Sequence, residues 1–204
     1  MTPAELSALL ILATATSFTP GPNTTLSTAL AANRGLRGAL HFVLAVPVGW
    51  GLLFTLSAIG LGSLVMAAPG LRWAIVLGGV VYLLWLARRL WGSGQLGQSD
   101  ASRLDVSFTQ GVLLQFLNIK AWMLALSIVA GWVAGQADAT SRYLQTLPLM
   151  LLFAFSSNFT YALIGSLLRQ WLTQGRRLLF FNRMMAAALV STALWIVLGL
   201  RLAT

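Results

Sequence analysis

Residues 6–33 read LSALLILATATSFTPGPNTTLSTALAAN, an uncharged run of 28 residues with Thr19-Pro20-Gly21-Pro22-Asn23 in its middle. A hydrocarbon core of about 30 Å needs roughly 20 apolar residues in helical form, so the run is long enough to cross a bilayer. Its centre cannot be undisturbed helix, because the two prolines remove two backbone donors and the glycine between them adds freedom. At membrane depth the groups released by such a break must find other partners or line a cavity. No basic residue precedes the run, and it is too long for a signal-peptide core, so it is expected to be retained as a first membrane helix.

The rest of the chain repeats this character. Of the 204 residues, 58% are apolar and 8% charged, against about 25% charged in ordinary globular chains. Apolar stretches fall near 5–33, 39–67, 70–91, 107–135, 144–168 and 180–202. The composition therefore predicts an all-α integral membrane protein of six transmembrane helices in one polytopic domain, 1–204. Asn33-Arg34-Gly35 reads as a helix stop, Ala68-Pro69-Gly70 as a tight turn, and residues 92–102 as a polar loop. With no cysteine, one histidine and four acids, neither a disulfide framework nor a usual metal site is expected, and no cofactor is implied.

The net charge of +9 does not mark a nucleic-acid binder, because the basic residues lie at the ends of apolar runs rather than in a stripe. Nine of the thirteen fall after the first, third and fifth segments: Arg34, Arg37, Arg88, Arg89, Arg103, Arg169, Arg176, Arg177 and Arg183. By the positive-inside bias these connections are cytoplasmic and both termini lie outside. Lys120 is different. It sits inside the fourth segment, in Asn118-Ile119-Lys120-Ala121, about 15 residues from Asp105, as Pro20 sits about 15 from Glu5, so each interruption lies ~22 Å deep.

Three spans per half would make the second half enter from the opposite face, giving two inverted three-helix repeats with helices 1 and 4 interrupted at matching depth. Interrupted helices at equivalent places point to a transporter's binding site, since broken helices offer backbone dipoles to a solute. An ionisable residue at membrane depth is likewise a functional candidate. A proline kink can instead serve packing, a lysine can snorkel, and the polar fifth segment around Ser156, Ser157, Asn158 and Thr160 can serve interhelical hydrogen bonding. Gly131 and Gly135 have a spacing that would permit close helix contact or a homodimer.

At these residues the chain resembles the LysE/RhtB family of amino-acid exporters. The resemblance rests on Pro20-Gly21-Pro22-Asn23, Arg34-Gly35-Leu36-Arg37-Gly38, the stretch from Gly111 to Asn118-Ile119-Lys120-Ala121, Tyr161-Ala162 with Gly165 and Arg169, and Asn182-Arg183. It implies a secondary transporter of the bacterial cytoplasmic membrane, with an amino acid as partner and proton exchange as driving force. Two departures matter. The family writes Asn-Pro-Lys where this chain has Asn118-Ile119-Lys120, which predicts a gentler break in the fourth helix. Many members carry an acid in the second helix, where Trp50 follows Gly49 here, which argues against carboxylate-based coupling.

The candidate substrate-binding residues are Pro20, Gly21, Pro22, Asn23, Asn118, Lys120, Asn158 and Tyr161, and the candidates for proton coupling are Lys120 and His41. Lys120 is expected to pair with a carboxylate, helped by amides freed near Asn23. Glu5, Asp100, Asp105 and Asp138 all fall at ends or in connections, so a neutral zwitterion is expected over a dibasic amino acid. An enzyme would need a nucleophile with a base, paired carboxylates or a metal at membrane depth, and the sequence offers none. A passive pore or an assembly factor is the alternative that six small helices also allow.

Overall fold

The computed structural model describes residues 1–93, 105–172 and 174–201. Among these the chain is helical: α1 (Pro3–Phe18), α2 (Pro22–Ala58), α3 (Leu61–Ala67), α4 (Pro69–Gly92), α5 (Phe108–Leu117), α6 (Ile119–Ile128) continued by a π turn (Val129–Val133), α7 (Ala139–Leu172) and α8 (Arg177–Arg201). Four helices, α2, α4, α7 and α8, are long and apolar enough to cross a membrane, and α5 with α6 makes a fifth if the bent pair is one span. The expected first segment is divided: α1 has 16 residues, about 24 Å, short of a full crossing, and its second half belongs to α2. The expected polar loop over 92–102, with Asp100 and Arg103, lies almost wholly outside the described residues.

The stop expected at Asn33-Arg34-Gly35 is present inside α2. Gly35 takes φ 77° and ψ 169°, a region essentially reserved for glycine, and divides the 37-residue run into helical parts over 22–34 and 36–58. The turn expected at Ala68-Pro69-Gly70 is also found, with Ala68 extended and Pro69 opening α4. The Gly131 and Gly135 pair forms no helical stripe, because Gly131 lies in the π turn and Gly135 beyond it at φ 72°.

Helix α2 packs most extensively on α7, α4 on α8, and α2 also on α5, where Gly49 meets Val112 and Gly111 meets Phe42 and Ala45. A side chain at Gly165 would run into the Thr28 carbonyl, so the α2–α7 contact is backbone to backbone, as small residues permit in membranes. Phe42, Leu86, Leu114 and Leu189 centre one buried apolar cluster, and Trp50, Phe54, Ile128 and Met150 a second.

Among the described residues, charge other than Lys120 gathers at two ends. At one, Arg142 on α7 donates to Glu5 at 3.0 Å and to Asp138 at 2.7 Å, and the Trp132 indole donates to the Glu5 carbonyl at 2.9 Å. The hydrogen bond from Arg142 holds the exposed Asp138 carboxyl below the usual carboxylate range. At the other, Asp105 pairs with Arg34, lies 3.6 Å from His41 Nε2, and offers its carbonyl to Arg89 at 3.2 Å. Arg169 reaches this end, beside Gly35. Arg142 and Arg169 are 27 residues apart on α7, about 40 Å, which matches a bilayer with its headgroup regions.

Candidate functional site

Both interruptions are built locally. At the first, α1 stops before Thr19 and Pro20, and Pro22 opens α2, where its missing N–H costs nothing. A helix end leaves carbonyls without partners, and here two are satisfied from outside the ladder. The Thr19 hydroxyl bonds the Ala15 carbonyl, and the Tyr161 hydroxyl of α7 donates to the Phe18 carbonyl at 2.9 Å. Across the gap the Gly21 N–H donates to Thr24 Oγ1 at 2.9 Å.

The second interruption is sharp, contrary to the gentler break expected without a proline. The axes of α5 and α6 differ by 69°. Asn118 supplies what the proline would: its backbone is extended, at φ −94° and ψ 97°, and its side-chain oxygen accepts the Lys120 N–H at 3.2 Å, so it caps a new helix. The Trp122 indole spans the bend, donating to the Phe116 carbonyl at 2.9 Å.

The two breaks face each other. Asn23, in the first turn of α2, donates to Gln115 Oε1 at 2.8 Å and accepts from Gln115 Nε2 at 3.2 Å, while that amide also donates to the Gly111 carbonyl at 3.1 Å. Lys120 projects to the other break, its Nζ 3.7 Å from where a Cβ on Gly21 would sit. The ammonium has no carboxylate or hydrogen-bond acceptor among the described residues. Two amide ends, of α2 and α6, and two carbonyl ends, of α1 and α5, thus converge, and each carries a partial charge suited to one pole of a zwitterion.

Cavities lie on both sides of this junction. One, of about 80 Å³, is bounded by Asn23, Asn118, Lys120 and Asn158, with Val46, Trp50, Leu124 and Met150 as its apolar wall. The other, of about 410 Å³, is bounded by Thr19, Pro20, Gly21, Pro22, Asn118, Lys120 and a face of α8. Seven of the eight expected binding residues therefore border one cavity or both. Tyr161 borders neither and ties down the end of α1. Asn158 is buried in the wall, accepting from Ser27 at 2.9 Å and donating to the Ala154 carbonyl at 2.8 Å. His41 is not brought to Lys120: it stands with Asp105, nine residues before Trp50 on α2, ~13 Å along the helix.

Sequence reasoning missed Gln115, Ser27 and the α8 face. Gln115 carried a readable signal, an amide inside the otherwise apolar run 112–117, which the structure buries fully, and polar groups at membrane depth seek partners. Ser27 and the α8 hydroxyls look like ordinary small helix residues, and only packing reveals their neighbours.

Apolar crossing helices, two facing breaks and an isolated ammonium at membrane depth define an integral membrane translocator. The chain belongs to the LysE type translocator family, which matches it over residues 14–204, and it is a multi-pass membrane transporter rather than an enzyme. It is similar to the cysteine/O-acetylserine efflux protein of Klebsiella pneumoniae, with 31% identity over 97% of this chain and 99% of the relative. The proteins of the same description from Escherichia coli K12 and Shigella sonnei are 27% identical over 95% of this chain and 97% of theirs. No solved structure matches the chain.

Proposed function

We propose that this protein exports a small neutral amino acid, or a related zwitterion, across the bacterial cytoplasmic membrane in exchange for protons. The observation that carries the reading is Lys120, the one described charge between the two ends, set against Gly21 where four helix ends meet. The amide ends of α2 and α6 suit the substrate carboxylate, and the carbonyl ends of α1 and α5 suit its ammonium. Neutral side chains are favoured by the wall of Val46, Trp50, Leu124 and Met150, since no described carboxylate borders the cavity to receive a second positive charge. The relatives' stated substrates, cysteine and O-acetylserine, are both small zwitterions without a second charge on the side chain.

Exchange follows if the substrate and the lysine proton exclude one another. Loading from the cytoplasm brings the substrate ammonium into the space that Lys120 borders, and the displaced lysine proton leaves inward past His41 and Asp105. After release outside, Lys120 takes a proton from that side and the empty carrier returns. One zwitterion leaves and one proton enters, so charge and atoms balance.

Six crossings in two inverted repeats are consistent with the packing. Taken as spans, α1 with 22–34, 36–58 with α3, and α4 form one unit, and α5 with α6, α7 and α8 the other. The equivalent pairs are in contact, α1 with α7 as α2 with α5, and α4 with α8 is the self-equivalent pair. The second span of each unit carries an internal proline, Pro47 and Pro148. The Arg-rich end is then cytoplasmic and both termini are outside.

The test is efflux from vesicles preloaded with neutral, basic and acidic amino acids under an imposed pH gradient. Saturable, gradient-driven loss of the neutral class is expected, and Lys120→Ala abolishes it with membrane insertion intact. Undiminished efflux in that variant discards the assignment of Lys120. Unsaturable flux indifferent to the gradient favours the pore, and no flux of any solute the assembly factor.

A further inference from the structure

We infer that the face of α8 bearing Ser191, Thr192 and Trp195 is the second wall of the substrate path, a hydrated subsite for the ammonium end of the zwitterion. The inference rests on the export reading above. Its first support is space: the cavity against α8 is about 410 Å³, inside the range of roughly 300–1,000 Å³ usual for small-ligand pockets, whereas the one against α2 and α7 is about 80 Å³. The two share Thr19, Gly21, Pro22, Asn118 and Lys120, so the junction is a septum and Lys120 borders both compartments.

The second support is polar bookkeeping at membrane depth. Neither the Ser191 hydroxyl nor the Trp195 indole N–H has a hydrogen-bond partner among the described residues, and both residues are exposed. The Thr192 hydroxyl donates to the Ala188 carbonyl at 2.9 Å, which leaves its oxygen able to accept. Thr19 and Pro20, whose backbone is not helical, open onto the same space. Unpartnered polar groups and broken backbone are tolerated within a bilayer only where they meet protein or water, not acyl chains. An ammonium entering here finds the oxygens of Ser191 and Thr192 and the aromatic surface of Trp195, which attracts cations.

The chain contains no cysteine, so single-cysteine variants can be read directly. In membrane vesicles, Ser191→Cys is labelled by a charged, water-soluble thiol reagent and compared with Val81→Cys on α4, which is also exposed but borders neither cavity. Only a hydrated thiol ionises to the reactive thiolate, so labelling at 191 is expected to be about tenfold faster or more. O-acetylserine, which unlike cysteine carries no thiol, is expected to slow it severalfold. Equal rates at 191 and 81 overturn the hydrated wall. Fast labelling indifferent to O-acetylserine, in a variant that still exports it, overturns the subsite. A failure of the export reading is seen separately, as absent efflux of every amino acid from wild-type vesicles.

Discussion

The reciprocal amide pair between Asn23 and Gln115 joins two residues 92 positions apart and holds the breaks in register, which makes it the most informative contact to remove. Gln115→Leu keeps the bulk of a fully buried side chain but deletes both bonds to Asn23 and one to Gly111. Leaving the Asn23 amide without its partner costs about 1–3 kcal/mol, and Asn23→Leu leaves Gln115 in the same state. Interhelical hydrogen bonds in membranes contribute about 0.6 kcal/mol each, so two reciprocal bonds give a coupling of about 1 kcal/mol. The double variant Asn23→Leu/Gln115→Leu is therefore more stable than the sum of the singles predicts, by about fivefold in the folding equilibrium constant. Titration of the purified protein with a denaturing detergent in mixed micelles measures all four corners of the cycle. Strict additivity would refute the pairing. An Asn23→Leu variant of unaltered stability whose apparent substrate affinity alone falls would assign Asn23 to the substrate instead.

Two further outcomes follow from the backbone and from the charged end. Gly35→Ala forces a side chain onto φ 77° and is expected to destabilise by about 1–3 kcal/mol, seen as a lower midpoint in the same titration. Because the Asp138 carboxyl is held low by Arg142, the stability from this pair is complete above the ordinary carboxylate range and fades as pH falls through the lowered value. Thermal unfolding in detergent should show that loss on acidification in the wild type and a smaller one in Asp138→Asn.

The first break was legible because its cause is covalent: two prolines without donors interrupt a helix wherever they stand. The stop at Gly35 was legible for a similar reason, a residue whose backbone freedom has a local use. The gathering of every other described charge at the ends, with Lys120 the exception, also followed from the sequence, since a bilayer penalises charge by depth. The sharpness of the second break was not legible. It depends on the Asn118 side chain choosing the Lys120 N–H over the other partners an amide could find, and composition does not rank those choices. The contact of Tyr161 with the end of α1 was not legible on the same ground: its hydroxyl meets a carbonyl 143 residues earlier, and spacing along the chain carries no information about that meeting.

The contrast between ends and centre bears on mechanism. Arg142 and Arg34 each have a carboxylate partner, while the helix breaks are joined by neutral amides and Lys120 has no counter-ion among the described residues. Stability alone would place a carboxylate beside a half-buried ammonium, because an unpaired charge withdrawn from water is costly. A carboxylate there would also fix the lysine proton, since an adjacent opposite charge favours the charged form. Exchange on the proposed cycle needs that proton to leave whenever a substrate ammonium arrives. Neutral amides can hold two broken helices together without electrostatic preference for either state of Lys120, and so they leave the proton and the substrate as the competitors. The trade is testable at Trp50, which borders the same cavity. A Trp50→Glu variant is expected to keep membrane insertion, yet to lose proton-driven efflux of neutral amino acids, because the new carboxylate would hold the Lys120 proton through the cycle. Efflux with wild-type dependence on the pH gradient in that variant would show that the absence of a counter-ion is not what permits exchange.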